Sequence, residues 1–324
     1  MASSGSSERA PKRPRTDEPV DEHLANSGPT NSSTVWFDDG SIVLQAENTR
    51  FRVHRTVMAL NSPIFEDMLN IGQSRGEESV EDCPLVVLHD SAKDLETVLR
   101  ALYDRRYFDD DKDQPFDTIA SILRVSKKYD IQHLYEKALE YLTAEFPGTL
   151  DDWDSRSIRI PSFNNGHYFD VINLARELTL PIILPAAFYL CLQRYSCEQI
   201  LGGIPNRTAG EVIRLSPSDQ KVAIVGMRQV VCASAATTFE WLGQHHEVEG
   251  CSNRIACADA FHMTSHSIWK PFPSYAALCI WDVEWGKDMC KKCVAFAKRR
   301  HSKGREFFWT RLPECFDLPP WADS

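Results

Sequence analysis

The chain has 324 residues, 43% of them hydrophobic, with a net charge of −10 and ten cysteines. That length suits two domains of ordinary size. The acidic balance argues against nonspecific nucleic-acid binding by the whole molecule, and ten cysteines in so long a chain do not make a small disulfide scaffold. No apolar run approaches the ~20 residues of a membrane span. The first residues are polar, unlike a secretory signal, so a reduced state for the cysteines and a nuclear or cytoplasmic location are expected.

Residues 1–34 are rich in Ser, Pro, Asp and Glu and lack apolar periodicity, which predicts a disordered tail. Pro11-Lys12-Arg13-Pro14-Arg15 sits inside it. Lys12, Arg13 and Arg15 read either as a nuclear-import address or as solvated tail charge.

The first predicted strand is Ile42-Val43-Leu44, following the turn signal Asp39-Gly40. Ala46-Glu47-Asn48-Thr49 suits a hairpin loop, and Phe51-Arg52-Val53-His54 alternates as a half-buried strand should. From Thr56 the period becomes helical, with Val57, Leu60, Ile64 and Met68 on one expected face. Ser62-Pro63 predicts a second helix, because Ser is a good N-cap and Pro is tolerated at the first helical position. Residues 84–88 (PLVVL) form a third predicted strand. Asp90-Ser91 caps a helix with Leu95, Val98, Leu99, Leu102 and Tyr103 on its face. A helix led by Pro115 carries Phe116, Ile119, Ile122, Leu123 and Tyr129, and the next carries Ile131, Leu134, Ala138, Leu139, Leu142 and Phe146.

This order, with the phrases FRVHRTVMALNSPIFEDML, VVLHD, ALYDRRY and LRVSKKYDIQHLYEKALEYL, resembles the BTB/POZ family. The resemblance implies an α+β fold over residues 35–147, a short three-stranded sheet with helices, whose work is protein–protein association. It places a dimer surface around residues 51–69. Asp39 and His54, which match the family's Asp-plus-His pattern, fall at or near the dimer groove, with Val57, Leu60, Phe65 and Met68 beside them. A local alternative has His54 end its strand and bond the backbone. Residues 20–34 hold no long apolar helix, so the element that swaps between subunits in many dimeric members is not expected. If the protein is a cullin ubiquitin-ligase adaptor, the resemblance puts Tyr103 and Tyr129 at the scaffold contact. The repeats that bind substrate in many such adaptors are missing.

Residues 148–166 are polar and turn-rich and read as a linker with a buried Trp or Phe. Residues 167–324 read as a mainly α-helical domain with a Cys-containing segment. The phrase LARELTLPIILPAAFY, and FFWTRLPECFDLPPW near the end, resemble the C-terminal region of fungal BTB proteins. The second phrase is expected to pack a short helix and tail onto that domain.

Cys251-x5-Cys257 and Cys290-x2-Cys293 offer two pairs of thiols 32 residues apart. Cys-x2-Cys is a zinc half-site, because two thiolates at that spacing can face one tetrahedral ion. Ordinary reduced cysteines are the alternative to a structural zinc. His245, His246, His262 and His266 are possible replacement ligands, and Cys191, Cys197 and Cys279 read as small core residues. His245-x-Glu247 before Cys290-x2-Cys293 is a poor match to the nucleobase-deaminase signature, with Met289 where Pro is expected. No Walker loop, zinc-protease helix or nucleophile elbow occurs. Nine Lys or Arg between positions 287 and 311 reverse the local charge. They fit the solvated face of a helix with Val294, Ala297, His301 and Phe308 inward, and make nucleic acid an unlikely partner. The reading is a non-enzymatic interaction module that self-associates or recruits a protein. The alternative is a nuclear regulator whose Cys-rich, basic region binds zinc or nucleic acid.

Overall fold

A computed structural model describes residues 28–70, 78–109, 113–156, 160, 168–205, 212–270 and 275–321. Lys12, Arg13 and Arg15 lie outside the described residues.

The first half is a mixed sheet covered by helices. Its strands are β1 (Thr30–Trp36), β2 (Ile42–Ala46), β3 (Thr49–Val53), β4 (Ser79–Val80) and β5 (Cys83–Leu88), in the order β1-β3-β2-β5-β4. β2 and β3 form the expected hairpin, Ala46 opposite Thr49, and β2 runs parallel to β5. Central β2 buries residues on both faces, whereas β3 alternates, with Phe51 and Val53 inward. Two edge strands flank the three expected ones. β1 pairs parallel to β3 and so draws residues 30–34, read as tail, into the sheet. Only Ser32 and Val35 of β1 are buried, which explains its weak apolar signal. β4 joins β5 through Glu81 and Asp82, both at positive φ, the backbone of a tight two-residue hairpin.

Helices α1 (Arg55–Asn61) and α2 (Pro63–Asn70) meet at Ser62 as expected. The Ser62 hydroxyl accepts from the Phe65 amide at 3.0 Å and donates to the Tyr129 carbonyl. The inward face differs from the predicted one: Met58 and Phe65 are in the core, while Leu60 is 85% exposed and Ile64 is 42% exposed. The break at Ser62 rotates the register, so one periodicity cannot run through both helices. Helices α3 (Ala92–Tyr103), α4 (Phe116–Tyr129) and α5 (Gln132–Glu145) follow. Ser91 caps α3 through the Asp94 amide, and Leu95, Val98 and Leu99 face inward.

The expected linker contains a helix, α6 (Leu150–Ser155), capped by Thr149, and its Trp153 is buried between Tyr189 and Trp309. Helices α7 (Tyr168–Glu177), α8 (Leu184–Arg194) and α9 (Cys197–Gly202) precede a small hairpin, β6 (Ile204–Pro205) and β7 (Val212–Ile213), and the long α10 (Pro217–Ala236). Every residue of α8 from Leu184 to Leu192 is buried, as befits a helix at the centre of a bundle. One continuous core runs from Val35 to Leu318, so the sheet region and the helical region share their interior.

A second, smaller core lies between α11 (Arg254–Trp269) and α12 (Lys291–Arg311). It holds Phe239, Trp241, Phe261, Ile268, Met289, Cys293 and Ala297. α12 joins the two cores, its first half packing in the smaller and its Phe308 and Trp309 in the larger. Gly304 permits the crossing, because a Cβ there would stand 2.4 Å from the Thr237 carbonyl oxygen. The chain then turns back as expected: Leu312, Phe316 and Leu318 are buried, and Trp321 stacks on Trp309. No described helix is long and apolar enough to cross a membrane.

Candidate metal centre and partner surface

The four sequence-predicted cysteines come together. Cys251 and Cys257 straddle the start of α11, and Cys290 and Cys293 straddle the start of α12, where Cys290 is the N-cap residue. Asn253 caps α11 through the Ala256 amide at 3.1 Å, which turns the chain so that Cys251 and Cys257 face the same point. The four sulfurs all lie within 4.8 Å of one another. Cys251 Sγ is 3.6 Å from Cys293 Sγ and 3.9 Å from Cys290 Sγ. These separations are too long for a disulfide bond, about 2.0 Å. They bracket the about 3.8 Å edge of a sulfur tetrahedron built on 2.3 Å zinc–sulfur bonds.

The surroundings act on the sulfurs in opposite directions. Two helix N-termini converge on the cluster, and their unpaired amides carry partial positive charge. The Cys290 amide donates to Cys257 Sγ at 3.3 Å. The backbone amide of Cys293, then that of Ser252, donate to Cys290 sulfur and pull its thiol down to about 5. Burial, followed by the neighbouring thiols, pushes Cys293 the other way, and burial also raises Cys257. Cys290 and Cys293, two residues apart in the x2 spacing, are thus drawn in opposite directions. Four sulfurs so placed could hold a metal ion, each as a thiolate ligand. Gly250, at φ +67°, leaves room for the Lys292 ammonium beside this loop.

Among the described residues no histidine joins the cluster. His245 packs against the Phe261 ring, so the deaminase-like His-x-Glu is not assembled with the sulfurs. Of the three cysteines read as core, Cys191 is buried, Cys279 is partly buried and Cys197 is exposed, its sulfur 3.3 Å from Met227 Sδ. The basic run on α12 is partly engaged. Arg305 is buried and pairs with Asp154, while Arg300 meets Glu247, Arg311 meets Glu314 and Lys287 meets Glu284. Lys291, Lys292, Lys298, Arg299 and Lys303 remain exposed.

The other predicted site divides. Asp39, 84% exposed at its side chain, lies 3.2 Å from His54 Nε2. The Tyr103 hydroxyl accepts from the His54 amide at 2.9 Å and is 3.1 Å from His54 Nδ1. Tyr103 therefore donates to Nδ1, and Nε2 carries the proton that faces Asp39. The His54 contact holds the Asp39 carboxyl below its ordinary range, and burial raises Tyr103. The triplet ties the end of β3 to the end of α3, with Phe37 stacked on Tyr103 at 4.4 Å. Leu60 is open to solvent, and Val57 and Met68 are partly so. Phe65 and Tyr129, both expected at a contact surface, stack on each other inside the fold at 4.5 Å. Tyr129 also donates to Asp90 and is raised strongly, chiefly by burial. A bulky aromatic at a helix break fills the core more readily than it stands in water, and periodicity does not reveal which face it takes.

Residues 38–145 match the BTB/POZ domain family. No curated protein matches the chain. Residues 38–145 thus form a BTB/POZ domain, a protein–protein interaction module, followed by a helical C-terminal region.

Proposed function

We propose that the chain works by protein association through its BTB domain, as a self-associating recruiter of a partner, of which a cullin scaffold is one candidate. The observation that carries the reading is the exposed apolar edge of α1 and α2, Leu60 with Ile64, on a domain whose other large side chains are mostly buried. An apolar side chain left in water at a helix pair is stabilised by burial against a second surface, at roughly 1.5–3 kcal/mol for a leucine. Asp39 and His54 stand at the adjoining strand end and supply a polar rim. Size-exclusion light scattering tests self-association. A dimer that Leu60→Glu with Ile64→Glu converts to monomer supports it, and a monomer at every concentration removes it. Affinity capture of the intact chain, with a cullin sought by mass spectrometry, tests the scaffold.

A second reading concerns the C-terminal region. We infer that Cys251, Cys257, Cys290 and Cys293 hold a structural zinc ion; the sulfur spacing and the amide–sulfur contacts support it. Four protein ligands close the coordination sphere, so this ion would stabilise structure and not activate water. Metal analysis of purified chain is expected to find about one zinc, lost on Cys290→Ser. Absence of zinc with unchanged stability in that variant removes the reading.

A further inference from the structure

Beside the four sulfurs runs an open groove of about 410 Å³ between α11 and the turn Val283–Gly286. That volume lies within the ~300–1,000 Å³ of clefts that take ligand groups. Its floor is the small face of α11 at Ala260, and its walls are Met263 and Trp285. Met263 is 66% exposed and offers a flexible apolar surface on one wall of the groove. Trp285 is firmly placed, edge-on to Phe239, Trp281 and His301, so that wall is rigid. The Thr264 hydroxyl bridges the Ala260 and Trp285 carbonyls and fixes the two sides to each other.

The rim is acidic. Asp259, Glu284 and Asp288 border the groove, and among the described residues no Lys or Arg lines it. Of the three carboxylates only Glu284 has an ion-pair partner among the described residues, Lys287 at 3.7 Å and largely exposed. An apolar trough under three carboxylates fits a chain that presents one or two apolar side chains flanked by cations. It disfavours nucleic acid and acidic peptides by charge.

We propose that this groove is a docking site for a basic segment of another protein, Lys or Arg on either side of an apolar anchor that lies against Met263 and Trp285. The inference rests on the zinc reading only for rigidity, because Cys257 anchors the α11 wall and Cys290 anchors the strand of chain that carries Asp288. In a BTB protein such a groove would select what is recruited, at a site separate from the α1–α2 edge.

The test is selection of a random dodecapeptide phage library on the intact zinc-loaded chain, followed by fluorescence-anisotropy titration of the enriched peptide. Enrichment of Lys or Arg flanking Leu, Ile, Phe or Met is expected. Asp259→Lys with Asp288→Lys should weaken the titrated peptide about tenfold or more, with zinc content and circular dichroism unchanged. Met263→Ala and Glu284→Lys, each farther from the sulfurs in sequence, guard against a folding defect and should weaken it several-fold. Enrichment of acidic peptides, no consensus, or equal affinity in all variants with native zinc would overturn the proposal. So would competition by a peptide of residues 9–16 that shows this chain's own basic tail to be the preferred occupant. Should the purified chain lack zinc yet bind the peptide through these carboxylates, the groove stands and the metal reading falls.

Discussion

The BTB domain and the Cys-and-Trp unit at residues 239–301 differ in the size of the interior each belongs to. The BTB domain interleaves a sheet with helices whose apolar faces are long, and its interior is continuous with that of α7, α8 and α10. The later unit has two helices, α11 and α12, a small aromatic core and four clustered sulfurs. Small cores bury too little apolar surface to offset chain entropy and usually carry a metal or disulfides. With the proposed zinc, one chain would use cooperative packing in one place and ligand chemistry in another. That would make the unit separable in stability, although α12 runs through both.

The strongest way to break that comparison is to remove the proposed ion. Apparent binding energies of structural zinc are of the order of 10–16 kcal/mol, more than so small a core can replace. Chelation, or Cys290→Ser, is expected to abolish hydrogen-exchange protection in α11 and the first turns of α12. Protection in β2, β3 and α3 should persist. Equal protection throughout would mean that both regions stand on packing alone.

A smaller but still large effect is expected at the joint. Arg305 of α12 is buried, pairs with Asp154 of α6 and donates to the Leu278 carbonyl at 2.9 Å. Arg305→Ala leaves that carboxylate and that carbonyl without their donor, a change worth about 3–5 kcal/mol when a buried pair is broken. Asp154 is partly exposed, which places the expectation at the lower end of that range. Thermal unfolding should show one transition in the native chain and two in Arg305→Ala. A single unshifted transition would show that α12 couples the regions through its apolar residues alone.

Much of this contrast was legible in the residues. The hairpin at Glu47-Asn48, the cap at Ser91, the break at Ser62-Pro63 and the inward face of α12 follow from local chemistry, and the structure bears them out. The four cysteines were legible as a set because Cys-x2-Cys is a local signal. Their convergence was not, since it depends on two helix starts meeting across 32 residues. β1 was hidden because TNSSTVW pairs through its backbone and contributes one apolar side chain. α6 was hidden by its acidic residues, although Thr149 signals its start and Trp153 its anchor. The groove was invisible for another reason. Asp259, Met263, Trp285 and Asp288 form no motif, and only the packing of α11 against a turn brings them together.

Two buried polar side chains sharpen the comparison at lower cost, and His301 has the larger expected effect. It is 1% exposed, sits among Phe239, Trp281 and Trp285, and its Nε2 has no hydrogen-bond partner among the described residues. Burial, with the Arg305 guanidinium one turn on, pulls it down to about 4 from the ordinary 6.5. The folded state therefore prefers neutral imidazole. Its contribution is complete above pH 6.5 and is lost as pH falls from 6.5 towards 4, a loss of about 3 kcal/mol. His301→Leu lacks this titration and should gain stability relative to the native chain as pH falls over that window. A parallel pair of stability curves would show that water or a neighbour satisfies the ring.

Ser62 is the counterpart in the BTB domain, with both its hydrogen-bonding capacities met. It caps α2 through the Phe65 amide and donates to the Tyr129 carbonyl, 67 residues away in the chain. Ser62→Ala removes a helix cap and strands one carbonyl, each worth about 1 kcal/mol. The two contacts share one hydroxyl, so their loss is not independent and about 1–2 kcal/mol is expected in denaturant melts. Ser62→Thr keeps the oxygen and should recover most of it. Because Ser62 lies 1% exposed beneath the Leu60 and Ile64 edge, the same variant tests whether that edge needs α1 and α2 locked together. Loss of self-association in Ser62→Ala, at a temperature where the domain is still folded, would place the lock in the interaction itself. Unchanged association would confine Ser62 to the stability of the fold.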